Sequence, residues 1–192
     1  MRITASLVIV VTLLNLSLLF SQDRSFIEAQ IRKWQQVVAH DPKDYETLAA
    51  IGAAYGKLGE HPTAVTYFNK AIAVNPSYAL AYVGLGSAYG FLRRPAEATA
   101  ALKKAVSLNP KDPISRTKLG TTLGKAGEYQ EAIIQLKEAI GLDPKLADAH
   151  FALGLAYVSV GDRKNALSEV NTLFRIDPEQ AAQLQNVVDR SR

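Results

Sequence analysis

Cysteine is absent from this 192-residue chain. That removes disulfide bracing, thiolate metal sites, thiol nucleophiles and a lipid-bearing cysteine from the devices open to it. The absence fits an exported protein that relies on helix packing. A strong charge of one sign is also missing: 22 basic against 18 acidic residues leave +4, too mild for a general nucleic-acid binder. Histidine is scarce, and His40, His61 and His150 lie far apart without metal-ligand spacing. The glycines of Gly84-Leu85-Gly86-Ser87-Ala88-Tyr89-Gly90 do not follow a strand and open a helix, as a dinucleotide loop must. Nor does Ser87 stand at the centre of a nucleophile elbow. With no catalytic constellation and no cofactor implied, the chain reads as a non-enzyme.

What is present is a period. Pro42, Pro76, Pro110, Pro144 and Pro178 follow one another at 34 residues, and Gly52, Gly86, Gly120 and Gly154 keep the same step, as do Ala64, Ala98, Ala132 and Ala166. A period of this length means stacked units rather than one central core. Within the first unit, Leu48, Ile51, Gly52 and Tyr55, then Ala64, Phe68 and Ala71, recur at steps of three and four, the spacing of one helix face. Two helices per unit follow, with the first turn at Gly59, where a left-handed residue needs no β-carbon. Pro62 suits the first turn of the second helix and Pro76 its end. Asp112-Pro113 reads as a side-chain cap followed by proline at the first helical position.

This pattern resembles the tetratricopeptide repeat, W-x2-L-G-x2-Y, then A-x3-F, then P. The resemblance covers 45–178. It departs from the pattern at the leading tryptophan, where Leu48, Tyr82, Arg116 and His150 stand, at Arg93 in place of a turn glycine, and at Leu173 in place of a small alanine. It implies an all-α fold: a right-handed α-solenoid of four helix-turn-helix repeats, 45–78, 79–112, 113–146 and 147–180. Flanking caps are expected at 24–41 and 181–192, since terminal units need a polar outer face. In register, Trp34 falls where Phe68 stands.

The run 3–21 has no charged residue and follows Arg2. It reads as a signal peptide or, being close to the roughly 17–25 residues that span a bilayer, as a retained membrane anchor. Either way the repeats are expected across the membrane, periplasmic or extracellular, with Arg2 left inside. Membrane contact is expected only if the leader is retained.

Between Arg93 and Lys125 eight basic residues face two acidic ones, a belt that either attracts an acidic partner or is a solvated surface. Aromatic stacking residues are not interleaved with it, so nucleic acid is not expected. The resemblance implies a partner groove lined by the first helices: Ala49, Ala53, Gly56 and Lys57; Leu80, Val83, Ser87 and Phe91; Ile114, Thr117, Thr121 and Lys125; Asp148, Phe151, Leu155 and Val158. A carboxylate clamp is not expected, because Ala49, Ala53 and Ile114 occupy three of its four positions and Lys118 alone is basic. An apolar or amphipathic protein segment is the expected ligand, although Val83, Phe91, Phe151 and Leu155 equally suit packing between repeats. The functional expectation is an exported, non-catalytic interaction scaffold or, alternatively, a membrane-anchored accessory subunit of an envelope or secretion assembly.

Overall fold

The computed structural model describes residues 5–191, with side chains from Asp23 to Ser191. The apolar leader 3–21 lies outside the residues whose side chains are described. Among the described residues every regular element is an α-helix and none is a strand. The helices are α1 (Ala5–His40), α2 (Tyr45–Lys57), α3 (His61–Val74), α4 (Ala79–Phe91), α5 (Pro95–Leu108), α6 (Pro113–Lys125), α7 (Tyr129–Leu142), α8 (Ala147–Ser159), α9 (Arg163–Ile176) and α10 (Pro178–Arg190). None among the described residues is long and apolar enough to cross a membrane. The chain divides into two compact units, one ending at Asn75 and one beginning at Pro76.

In the first unit the expected cap at 24–41 is the C-terminal part of α1. Its Ile31 is buried with Ile51 and Ala54 of α2, flanked by Ile27, Trp34 and Val38. The seam also has a polar fastening. Gln35 Nε2 donates to the hydroxyls of Tyr55 and Tyr67 at 3.5 and 3.4 Å, and the two phenol rings stack with centroids 5.5 Å apart. Burial pushes the Tyr55 phenol above its ordinary value, with Tyr67 and Glu60 adding to the shift. Asp44 caps α2. Its carboxylate accepts from the Thr47 hydroxyl at 2.6 Å and the Thr47 N–H at 2.9 Å, and both bonds hold its carboxyl below the ordinary aspartate value.

The second unit packs α4 with α5, α6 with α7, α8 with α9, and α10 against α8 and α9. Each hairpin turns through one left-handed residue, with φ of +56° at Arg93, +84° at Gly127 and +76° at Gly161; Gly59 in the first unit has +79°. The residue after it closes the turn, as when Glu128 N–H donates to Leu123 O at 2.9 Å. Arg93 performs this with a side chain attached, against a left-handed penalty of roughly 1–2 kcal/mol that glycine escapes. Arg93→Gly is therefore expected to raise stability by up to about 1 kcal/mol, part of the gain being offset by glycine's greater freedom when unfolded. Chemical denaturation of the two proteins checks this.

Asp112 caps α6 as its sequence suggests, accepting from Ile114 N and Ser115 N at 3.2 and 3.0 Å, while its carboxylate also takes the buried Ser115 hydroxyl. The small residues of the period explain the helix spacing. A β-carbon on Gly86 would lie 2.6 Å from Leu102 Cγ, and one on Gly120 would lie 2.5 Å from Leu136 Cγ. Each glycine thus lets its own repeat's second helix come close.

The C-terminus departs from the period. Pro178, read in sequence as a stop, is the first residue of α10, three residues before the register would start a new helix. Asp177 alone joins α9 to α10: its N–H donates to Leu173 O at 2.7 Å, and its carboxylate accepts from Glu179 N and Gln180 N at 3.1 Å. The altered start brings Leu184 over Gly154, where the other repeats use their own second helix. Leu173, large where the pattern has alanine, is fully buried in the same cluster as Leu184 and Val188.

Candidate functional site

Because α6 and α8 belong to successive repeats and pack side by side, small residues of both line a common surface. Gly120 and Ala156 are buried, Gly124 and Ala152 half-buried. A β-carbon on Gly124 would find only Ala132 Cβ, at 3.9 Å. The small side chains along these two helices leave an apolar crevice of about 290 Å³. Thr121, Leu155, Val158 and Tyr129 wall it, Val187 closes it from α10, and Lys125 and Ser159 stand at its mouth. No carboxylate lies within 4 Å of the Lys125 ammonium among the described residues. The crevice therefore offers apolar contact plus one cation available to a ligand.

Of the residues expected to line a groove, Thr121, Lys125, Leu155 and Val158 meet here. Val83 and Thr117 are buried, the Thr117 hydroxyl donating to Pro113 O at 2.8 Å, and contribute almost no surface. Phe151 is half-buried against the core cluster. Asp148 is exposed and accepts from Gln180 Nε2 at 3.0 Å. On α4, Ser87 is half-buried, while Leu80 and Phe91 are 62% and 72% exposed; Ile114 on α6 is 46% exposed. Ala49, buried, and Ala53 and Lys57, exposed, belong to α2 of the other unit and take no part in this crevice. Sequence reasoning left out Tyr129, Ala152, Gly124 and Val187. The repeated Gly120/Gly124 spacing was the available signal for the glycine; Val187 arrives only through the out-of-phase start of α10.

The basic belt is partly neutralised. Arg94 pairs with Glu97 at 2.7 Å and lies over the Tyr89 ring, Lys103 pairs with Glu131 at 3.0 Å, and Arg116 pairs with Glu138. Among the described residues no cluster of three or more His, Asp or Glu is placed to hold a metal.

Models of the tetratricopeptide repeat match 45–78, 79–112, 101–134 and 147–180, and a further TPR repeat model matches 122–161. Together they run unbroken from 45 to 180. The chain is a tetratricopeptide-repeat protein. Its fold is shared by the crystal structure of MamA, at 27% identity over 84% of this chain and 94% of that one, with a TM-score of 0.73. MamA from Desulfovibrio magneticus RS-1 is 24% identical over 83% and 90%, also at 0.73. YrrB, described as a tetratricopeptide-repeat protein with an unusual peptide-binding site, is 24% identical over 90% and 89%, at 0.71. Among curated proteins none matches the chain.

Proposed function

We propose that this tetratricopeptide-repeat protein is a non-catalytic scaffold that captures a protein segment in the α6–α8–α10 crevice. The observation that carries the reading is an apolar crevice of about 290 Å³ lined from α6, α7, α8 and α10, with an ammonium at its mouth that no carboxylate among the described residues pairs. The ligand it suits is an extended segment with one aliphatic or aromatic anchor and a neighbouring carboxylate. The anchor gains from buried apolar area, and the carboxylate sets direction. The uncharged run 3–21 supports action outside the cytoplasm, with the leader removed after export. The alternative, a membrane-anchored accessory subunit, rests on the same run being retained. Mass spectrometry of protein recovered from cells separates the two: a mature start at Gln22 supports export with cleavage, and a retained Met1 supports the anchor.

Gly124→Leu tests the crevice itself. A β-carbon there has room and the leucine branches would occupy the cavity, while replacing glycine in the last turn of α6 adds helix propensity worth at most about 1 kcal/mol. Peptides selected from a display library on the natural protein are expected to lose binding to Gly124→Leu, whose melting temperature stays level or rises. Undiminished binding by a well-folded Gly124→Leu would place the ligand elsewhere.

A further inference from the structure

The four repeats differ at the fourth residue of the first helix, and the structure shows what that position does. In the third repeat, Arg116 Nε donates to Pro110 O at 3.0 Å and Nη1 donates to Gln135 Oε1 at 3.0 Å and to Glu138. In the fourth, His150 Nε2 donates to Pro144 O at 3.1 Å, and Nδ1 meets Glu169 Oε2 at 2.6 Å. Both side chains are largely buried, 15% and 7% exposed. In both repeats, then, a planar group bearing an N–H fills the space between the period-marking proline and the second helix.

The same register in the first unit reads Pro42, Leu48, Tyr67 and Lys70, and there the space is open: a crevice of about 590 Å³. The Leu48 side chain is smaller than those of Arg116 and His150 and carries no N–H for the Pro42 carbonyl. The polarity of the far wall is also changed. Lys70 stands where the third repeat has Glu138, and Tyr67 stands where the repeats with Arg116 and His150 have Gln135 and Glu169. A guanidinium or imidazolium entering this crevice would meet a like charge, whereas a neutral aromatic ring would meet apolar walls, a phenol ring and an ammonium suited to its face. Lys70 Nζ already lies 4.9 Å from the Tyr67 centroid.

We propose that the crevice receives the indole of a tryptophan on a partner polypeptide, its N–H directed to the Pro42 carbonyl as Arg116 and His150 direct theirs. This goes beyond the α6–α8–α10 reading and stands on a different unit. A second copy of this chain is a poor donor, since its single tryptophan, Trp34, is packed against its own α1–α2 cluster.

The test uses the full chain, methyl NMR and two probes, N-acetyltryptophanamide and N-acetylargininamide. The tryptophan probe is expected to shift the methyls of Val38, Leu48 and Ile51, and the arginine probe to leave them unmoved. Leu48→Trp fills the crevice from within and should abolish the shifts. Lys70→Glu, a change at an exposed residue, should admit the arginine probe, improving its affinity roughly tenfold as one removed charge conflict allows. The proposal is overturned if neither probe moves these methyls or if the arginine probe moves them in the natural protein. It is equally overturned if the tryptophan probe still binds a folded Leu48→Trp. Sedimentation showing that Leu48→Trp dissolves a self-associated form would assign the crevice to a second copy instead, and would also overturn it.

Discussion

Leu184→Ala is expected to destabilise the C-terminal part of the protein by about 2–5 kcal/mol, the range for truncating a fully buried leucine. Leu184 has no exposed surface and sits directly over Gly154, so its removal leaves a void that neither neighbour fills. α10 has few other anchors. Ala181 and Val188 are buried, Arg163 donates to Val188 O and pairs with Asp189 at 3.0 Å, and Gln180 reaches Asp148. The exposed pairs add little, typically below about 1 kcal/mol each. Because a stacked array is held by nearest-neighbour contacts, freeing α10 should unfold the last repeat before the rest. Hydrogen exchange is expected to show protection lost first in α8, α9 and α10, with α4 and α5 retained. Uniform loss across the second unit, or a melt equal to the natural protein's, would contradict the role given to Leu184.

Ala98→Leu should have the next largest effect. Ala98 is fully buried where α5 meets α4, and its carbonyl oxygen lies against the position that a side chain on Gly86 would occupy. Three added carbons there must push the two helices apart or force neighbours off their rotamers, at a cost of about 1–3 kcal/mol. Lys103→Ala, on the same helix but exposed and paired with Glu131 across the surface, should change stability by no more than about 0.5 kcal/mol. Denaturant melts of the two variants check this, and equal effects would show that the repeat register is wrong.

These positions also show how far the sequence could be read. Ala98, Gly86 and the turn residues were legible because each is dictated by a contact between neighbours in the chain, repeated in register. Even Arg93 is understood this way, since the hairpin needs a left-handed residue there whatever side chain it carries. Leu184 was not legible as the partner of Gly154. In register that place belongs to Val170, but the start of α10 is set locally by the Asp177 cap and Pro178 rather than by the period. The candidate site was legible only in part for the same reason. Thr121, Lys125 and Leu155 follow from the repeat pattern, but Val187 enters through α10. Val83 and Thr117 share that pattern yet are closed off by their own surroundings, a matter of packing depth that a one-dimensional period does not carry.

The central claim is that the α6–α8–α10 crevice with Lys125 at its mouth, rather than the other basic residues of the belt or the exposed apolar residues of α4, holds the partner segment. Methyl chemical-shift mapping with a selected peptide on the full chain, at low and high salt, tests it most directly. Perturbations are expected on Leu155, Val158 and Val187, residues of two helices that all line this crevice, together with affinity that falls only modestly with salt, since one ammonium contributes and apolar burial dominates. Perturbations centred on Leu80 and Phe91, or binding that collapses as salt is raised while Leu155, Val158 and Val187 stay unmoved, would contradict it.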